Sequence, residues 1–174
     1  MTNPMEIPFF AAGAVAVIAT LLAITRTIAV HALLYLIVSL LAVAVVFYTM
    51  GAPVVAALEV IIYAGAIVVL FVFVVMMMNL GAQDSETERK WLAWRAWIGP
   101  AVLSALLLFE VIYLVVRAPV SATIGSISTP KEIGLALYGP YLLGVELASM
   151  LLLGALVGAC HVGRISRSGR EVQQ

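Results

Sequence analysis

Long apolar stretches alternate along this chain with short polar ones, at a period far too long for amphipathic helices or strands. Apolar runs cover about residues 7–25, 32–50, 54–78, 98–116 and 140–161. A helix rises ~1.5 Å per residue, so about 20 apolar residues cross a hydrocarbon core of ~30 Å, and each run is long enough to span. The pattern predicts an all-α integral membrane protein with five transmembrane helices. Residues 26–31 and 51–53 are brief connections, which makes the first three spans antiparallel neighbours. Residues 79–97 are polar and tryptophan-rich, and 117–139 carry Ser, Thr, Gly and Pro, reading as an irregular loop with one short helix from Thr129. Pro53 and Pro140 fall at or near the first turns of the third and fifth spans, where a missing N–H does no harm. Pro100 follows Gly99 just inside the fourth span and predicts a kink or break there. No internal repeat or heptad pattern interrupts this reading of residues 1–174 as a single membrane domain, with 162–174 as a basic tail.

Composition agrees. The chain is 64% hydrophobic and 10% charged, against about 25% charged residues in soluble domains. Glu6 precedes the first apolar run and no Lys or Arg does, so the basic start of a signal peptide is missing and residues 7–25 read as a retained helix. Basic residues set the orientation. Arg26, Arg89, Lys90, Arg95, Arg164, Arg167 and Arg170 fall on one side of the five-span map, and Arg117 and Lys131 on the other. The excess places the N-terminus in the periplasm and the C-terminus in the cytoplasm. Trp91, Trp94 and Trp97 then form an inner aromatic belt, and Tyr48, Tyr138 and Tyr141 an outer one.

Several function classes fall away. Nine basic and nine acidic residues cancel, so nothing favours nucleic acid. The lone Cys160 rules out an internal disulfide and any cysteine-ligated iron–sulfur cluster or four-cysteine zinc site held by this chain alone. There is no glycine-rich phosphate loop and no His-Glu-x-x-His. His31 and His161 share a depth that would permit a haem, or else they are two interfacial anchors.

What remains is carboxylates inside the membrane. Glu59, Glu110 and Glu146 lie within the third, fourth and fifth spans, at a cost of ~2.5–3.5 kcal/mol for a charge near a helix centre even on lenient insertion scales. Each is a proton-relay candidate, or a hydrogen-bonded carboxyl that holds helices or partner subunits together. Their similar depth permits a shared polar patch. Tyr63 follows Glu59 by four residues and shares its helix face, so it can pass or hold a proton, or simply pack. Gly65, between Ala64 and Ala66, allows close helix contact or a local π-type bulge. Gly154 and Gly158 form a small-xxx-small pair suited to helix packing, and Met76–Met78 read as adaptable packing.

Four blocks carry a resemblance. They are Leu58 to Phe73 (LEVIIYAGAIVVLFVF), His31 to Leu36 (HALLYL), Gly139-Pro140-Tyr141, and Val145 to Met150 (VELASM). Together they resemble subunit J of bacterial NADH:quinone oxidoreductase, respiratory complex I, the counterpart of mitochondrial NADH dehydrogenase subunit 6. The resemblance implies a membrane-arm subunit in the bacterial inner membrane, obligately bound to other membrane-arm subunits and to lipid. It implies that FMN, iron–sulfur clusters, NADH and a quinone are used by the complex and not bound by this chain, which has no catalytic centre of its own. It also implies a third helix whose π-bulge relaxes to regular α-helix and gates a water chain. On that picture Tyr63 and Gly65 lie in the switching segment, Glu59 on the proton path and Glu146 as a further candidate; Glu110 lies outside the matched blocks. A small subunit of a related hydrogenase or multisubunit cation/proton antiporter, or a purely structural subunit, are the alternatives.

Overall fold

A computed structural model describes residues 6–77, 94–117 and 129–171, with side chains for 6–77, 97–116 and 129–163. Every regular element among them is helical: α1 (Glu6–Thr25), α2 (Ala29–Thr49), α3 (Pro53–Met77), α4 (Trp94–Arg117), the short α5 (Pro130–Leu137) and α6 (Leu142–Glu171). Five of these helices are long and apolar enough to cross a membrane, α6 supplying the fifth span from Leu142 to Gly163. The helices fall into two compact units, Met1–Ser128 and Thr129–Gln174.

The first unit is built on small residues. Ala12, Val15 and Ala19 of α1, at i, i+3 and i+7, meet Val38, Ala42 and Val45 of α2 and Leu107 and Leu114 of α4. Lipid tails are as apolar as leucine, so helices in a bilayer associate through close packing and hydrogen bonds, and alanines allow that approach. Ala12, Ala19 and Ala42 are fully enclosed. Two hydroxyls tie the same seam. Thr20 donates to the Ala16 carbonyl at 2.8 Å, and the Ser39 hydroxyl lies 2.7 Å from Thr20 Oγ1 and 3.1 Å from the Ala16 carbonyl. Near the α1–α2 connection Arg26 lies over the Tyr35 ring, 5.2 Å from its centroid, and Gly99 of α4 admits the Tyr35 hydroxyl where a Cβ would stand.

The turn from α2 to α3 has a definite chemistry. Gly51 takes φ 82°; its N–H bonds the Tyr48 carbonyl at 3.1 Å and the Ala52 N–H bonds that of Phe47 at 3.0 Å. This paired closure around a left-handed glycine satisfies the orphan carbonyls of α2, and Pro53 then opens α3 at its first turn.

Two expectations need correction. α4 runs unbroken through Pro100, with Ser104 Oγ donating to the Pro100 carbonyl at 2.7 Å; three-helix packing holds the helix across the missing N–H. His31 is buried in the first turn of α2, not exposed as an anchor. Pro140 lies in the turn before α6, which begins at Leu142.

In the second unit, Thr129 and Glu132 form a reciprocal capping box at the start of α5, with bonds of 3.3 and 2.9 Å. This is the short helix expected from Thr129. Gly139 is required in the following turn, because a Cβ there would stand 2.7 Å from the Leu135 carbonyl. Within its own unit no residue of α6 between Leu142 and Gly163 is buried, and a Cβ at Gly154 or Gly158 would meet open space. Met78, Asp84–Arg89, Lys90, Trp91 and residues 172–174 lie outside the described residues, as do the side chains of Trp94, Arg95, Arg117, Arg164, Arg167 and Arg170.

Candidate functional site

The middle of α3 is not an α-helix. Pro53–Leu58 is α-helical, Glu59–Ile67 is π-helical, and Val68–Met77 returns to α. The Val68 N–H donates to the Tyr63 carbonyl, five residues back, and so closes the π segment. π segments are rare and mostly a single turn long, so nine residues is a large departure. It takes in Glu59, Tyr63 and Gly65 together.

Gly65 shows why the sequence permits it. A Cβ on Gly65 would stand 3.1 Å from the Val60 carbonyl oxygen, the acceptor five residues back. That separation is tighter than ordinary van der Waals contact, so a side chain there would press on the π turn's own backbone. Glycine leaves the carbonyl room.

Packing isolates the segment. No residue from Glu59 to Ile67 is buried, yet Ala56 before it and Val68 after it are. α3 is therefore seated at both flanks and loose between them. Glu59 is half-buried and Tyr63 is 50% exposed; among the described residues neither makes a side-chain hydrogen bond or ion pair. A carboxyl and a phenol on an outward face in hydrocarbon call for a polar neighbour beyond those described in this unit.

The carboxylates do not share one patch within the first unit. An apolar groove of about 670 Å³ lies between α2, α3 and α4, lined by Val45, Tyr48, Ala56, Val60, Leu107 and Val111 among others. Glu59 and Glu110 flank this groove without lining it. Glu110 is enclosed, 7% exposed. Its carboxyl approaches the Ala12 backbone amide, but short of hydrogen-bond geometry, leaving both oxygens without a partner. Glu146 belongs to the second unit and is exposed on α6. Sequence reasoning offered Glu110 as one of three relay candidates, and the family resemblance gave it no role because it lies outside the matched blocks; its spacing of three residues from Leu107 and four from Leu114 carried the burial signal.

Residues 19–162 match the family model described as NADH-ubiquinone/plastoquinone oxidoreductase chain 6. A Pseudomonas aeruginosa protein named NADH-quinone oxidoreductase subunit J is 57% identical, over 92% of this chain and 97% of its own length. The Escherichia coli K12 protein of the same name is 54% identical over 95% of this chain and 90% of its own. A Buchnera aphidicola relative, also so named, is 49% identical over 92% and 98%.

Proposed function

The chain belongs to the NADH-ubiquinone/plastoquinone oxidoreductase chain 6 family, and on that premise we propose that it is a cofactor-free membrane-arm subunit of a proton-translocating NADH:quinone oxidoreductase, with α3 as a gate on a water path. It is a multi-pass protein of the inner membrane. Electron transfer from NADH to quinone takes place on the flavin, iron–sulfur clusters and quinone held by other subunits, and this chain couples that reaction to proton movement. Its N-terminus faces the periplasm and its C-terminus the cytoplasm, as the basic residues require.

The observation that carries this reading is the coincidence of Glu59, Tyr63 and Gly65 in one unburied π segment between two seated flanks. An α-helix turns about 100° per residue, so loss of the one-residue surplus of a π turn rotates everything beyond it by about that angle. Such a rotation re-aims Tyr63 relative to Glu59 and lifts Val68 from its seat. The packing of Val68 (1% exposed) opposes the change, which makes two discrete states in place of a continuous drift. Glu59 takes up or gives up a proton as the water file beside it forms and breaks. Glu146 stands as a second proton-path residue, on α6.

The exposed faces of α3 and α6 are where other membrane-arm subunits and lipid cover this chain, which makes it an obligate hetero-oligomer. The first test is purification through a tag on the chromosomal copy, followed by a native gel stained for NADH dehydrogenase activity. A large active band is expected; migration with other partners and no such activity would point to a hydrogenase or antiporter assembly. In the assembled complex, Gly65→Val is expected to abolish most proton pumping while leaving electron transfer from NADH to artificial acceptors intact. Glu59→Gln keeps the size and removes the exchangeable acid, and coupled turnover should fall by about tenfold or more. Unimpaired pumping in both variants would leave the chain a structural subunit.

A further inference from the structure

Outside the α3 segment, one titratable group has no explained role. Glu110 is enclosed between α1, α2 and α4, with Leu107 and Leu114 on its own face of α4 and the backbone of Ala12 across from it. Neither carboxyl oxygen has a hydrogen-bond partner. Buried charges in proteins are paired or they take up a proton, since an isolated ion in low dielectric is far costlier than the neutral acid. Among the described residues no side chain bonds to either carboxyl oxygen of Glu110, and the buried core residues of α1 and α2 are apolar.

The surroundings also offer a way in. Glu110 lies six residues from Val116, near the C-terminal end of α4, and Ala12 lies six residues from Glu6 at the N-terminal end of α1. At ~1.5 Å per residue the carboxyl is about 9 Å inside that common end. Tyr113 is three residues further along α4, on the same helix face and about 4.5 Å nearer the end. It is 41% exposed. Glu6 stands exposed in the first turn of α1, and both it and Tyr113 are engaged by neighbours. By residue count along α4 and α1, a buried carboxyl, a part-exposed phenol and an exposed carboxylate thus stand at successively smaller distances from that helix end.

We propose that Glu110 is a proton-binding site separate from the α3 segment, filled from the end of the bundle where α1 begins, with Tyr113 and Glu6 as the steps of its access route. The chemistry is proton transfer alone. The Tyr113 hydroxyl gives its proton to a Glu110 carboxylate oxygen, and Tyr113 is reprotonated from Glu6 or from water at the helix end. No electron moves and no other bond changes.

Infrared spectroscopy of the whole complex in membranes tests this. Subtracting the Glu110→Gln spectrum from that of the unmodified complex should leave the C=O stretch of one protonated carboxyl, which moves to its deuterated position after transfer to D2O. Tyr113→Phe keeps the ring and removes the hydroxyl, and should slow that exchange by about a hundredfold, the lower end of what a positioned proton donor contributes. Glu59→Gln should leave the band and its exchange rate unchanged, so failure of the α3 gate and failure of this site are distinguishable. Ionised-carboxylate bands in place of the C=O stretch, or equally fast exchange in Tyr113→Phe, would overturn the proposal. If Glu110→Gln fails to assemble, Glu110→Asp serves instead: a shifted but exchangeable C=O band supports the site, and a spectrum identical to the unmodified complex refutes it.

Discussion

The seam of α1, α2 and α4 and the length of α3 belong to the same unit, and they use apolar residues to opposite ends. α3 is the most apolar of the five spans, yet only Ala56 and Val68 of it are buried, against seven residues of α2. In water the more apolar helix would lie deeper in the core. In a bilayer apolarity costs nothing on the outside, so burial goes to the helices that can approach closely: those with alanine at 12, 19 and 42 and hydroxyls at 20 and 39. The seam is fastened by side chains on every turn, whereas the π segment of α3 is held at Ala56 and Val68 and by its own backbone. A closely packed seam and an unburied π segment are thereby set in one unit.

The largest effect should come from overfilling the fixed part. Ala42→Leu inserts three carbons where no space exists, at a cost of about 1–3 kcal/mol or more. Little assembled complex should survive on a native gel, and normal assembly would show the seam to be looser than described. Glycines sharpen the contrast next. Gly65→Ala puts a methyl 3.1 Å from the Val60 carbonyl and should lower protons pumped per NADH oxidised without loss of assembly. In α1, Gly13→Ala meets open space, should strengthen the helix by up to ~1 kcal/mol, and should leave pumping unchanged. Equal effects at the two glycines would remove the distinction between the regions. A smaller change is expected for Ser39→Ala, which deletes the hydroxyl tie to Thr20 and Ala16. A loss of about 1 kcal/mol should appear as a modest drop in the thermal stability of the complex. Smallest is Thr129→Ala, which removes the cap of α5 and about 0.5 kcal/mol; faster hydrogen exchange confined to Pro130–Leu137 would confirm that it acts locally.

Much of the fold was legible because bilayer thickness imposes one length on every span. Run boundaries, the opening of α3 at Pro53 and the capped helix at Thr129 all follow from rules acting within a few residues. Pro100 shows the converse: a lone proline predicts a kink or break, but α4 runs without a break from Trp94 to Arg117 while packed on α1 and α2. At the candidate site, Gly65 flanked by alanines left close helix packing and a π-type bulge both open, and the family resemblance pointed to the bulge. Its spread to nine residues, taking in Glu59 itself, depends on how many successive backbone hydrogen bonds shift by one residue, and residue spacing does not report that.

By itself the sequence determined the solvent this protein lives in, its five spans, its family, and the presence of three carboxylates within them. Those properties are sums over single residues, or local matches, and need no knowledge of neighbours. Tertiary structure decided which face of each helix meets another, and so the different environments of two similar carboxylates. Glu59 stands on an unburied π turn, and Glu110 is enclosed without a partner. In a bilayer an apolar side chain is equally content against lipid or against helix, so hydropathy cannot distinguish inside from outside. Only the close approach of small residues across the seam does that.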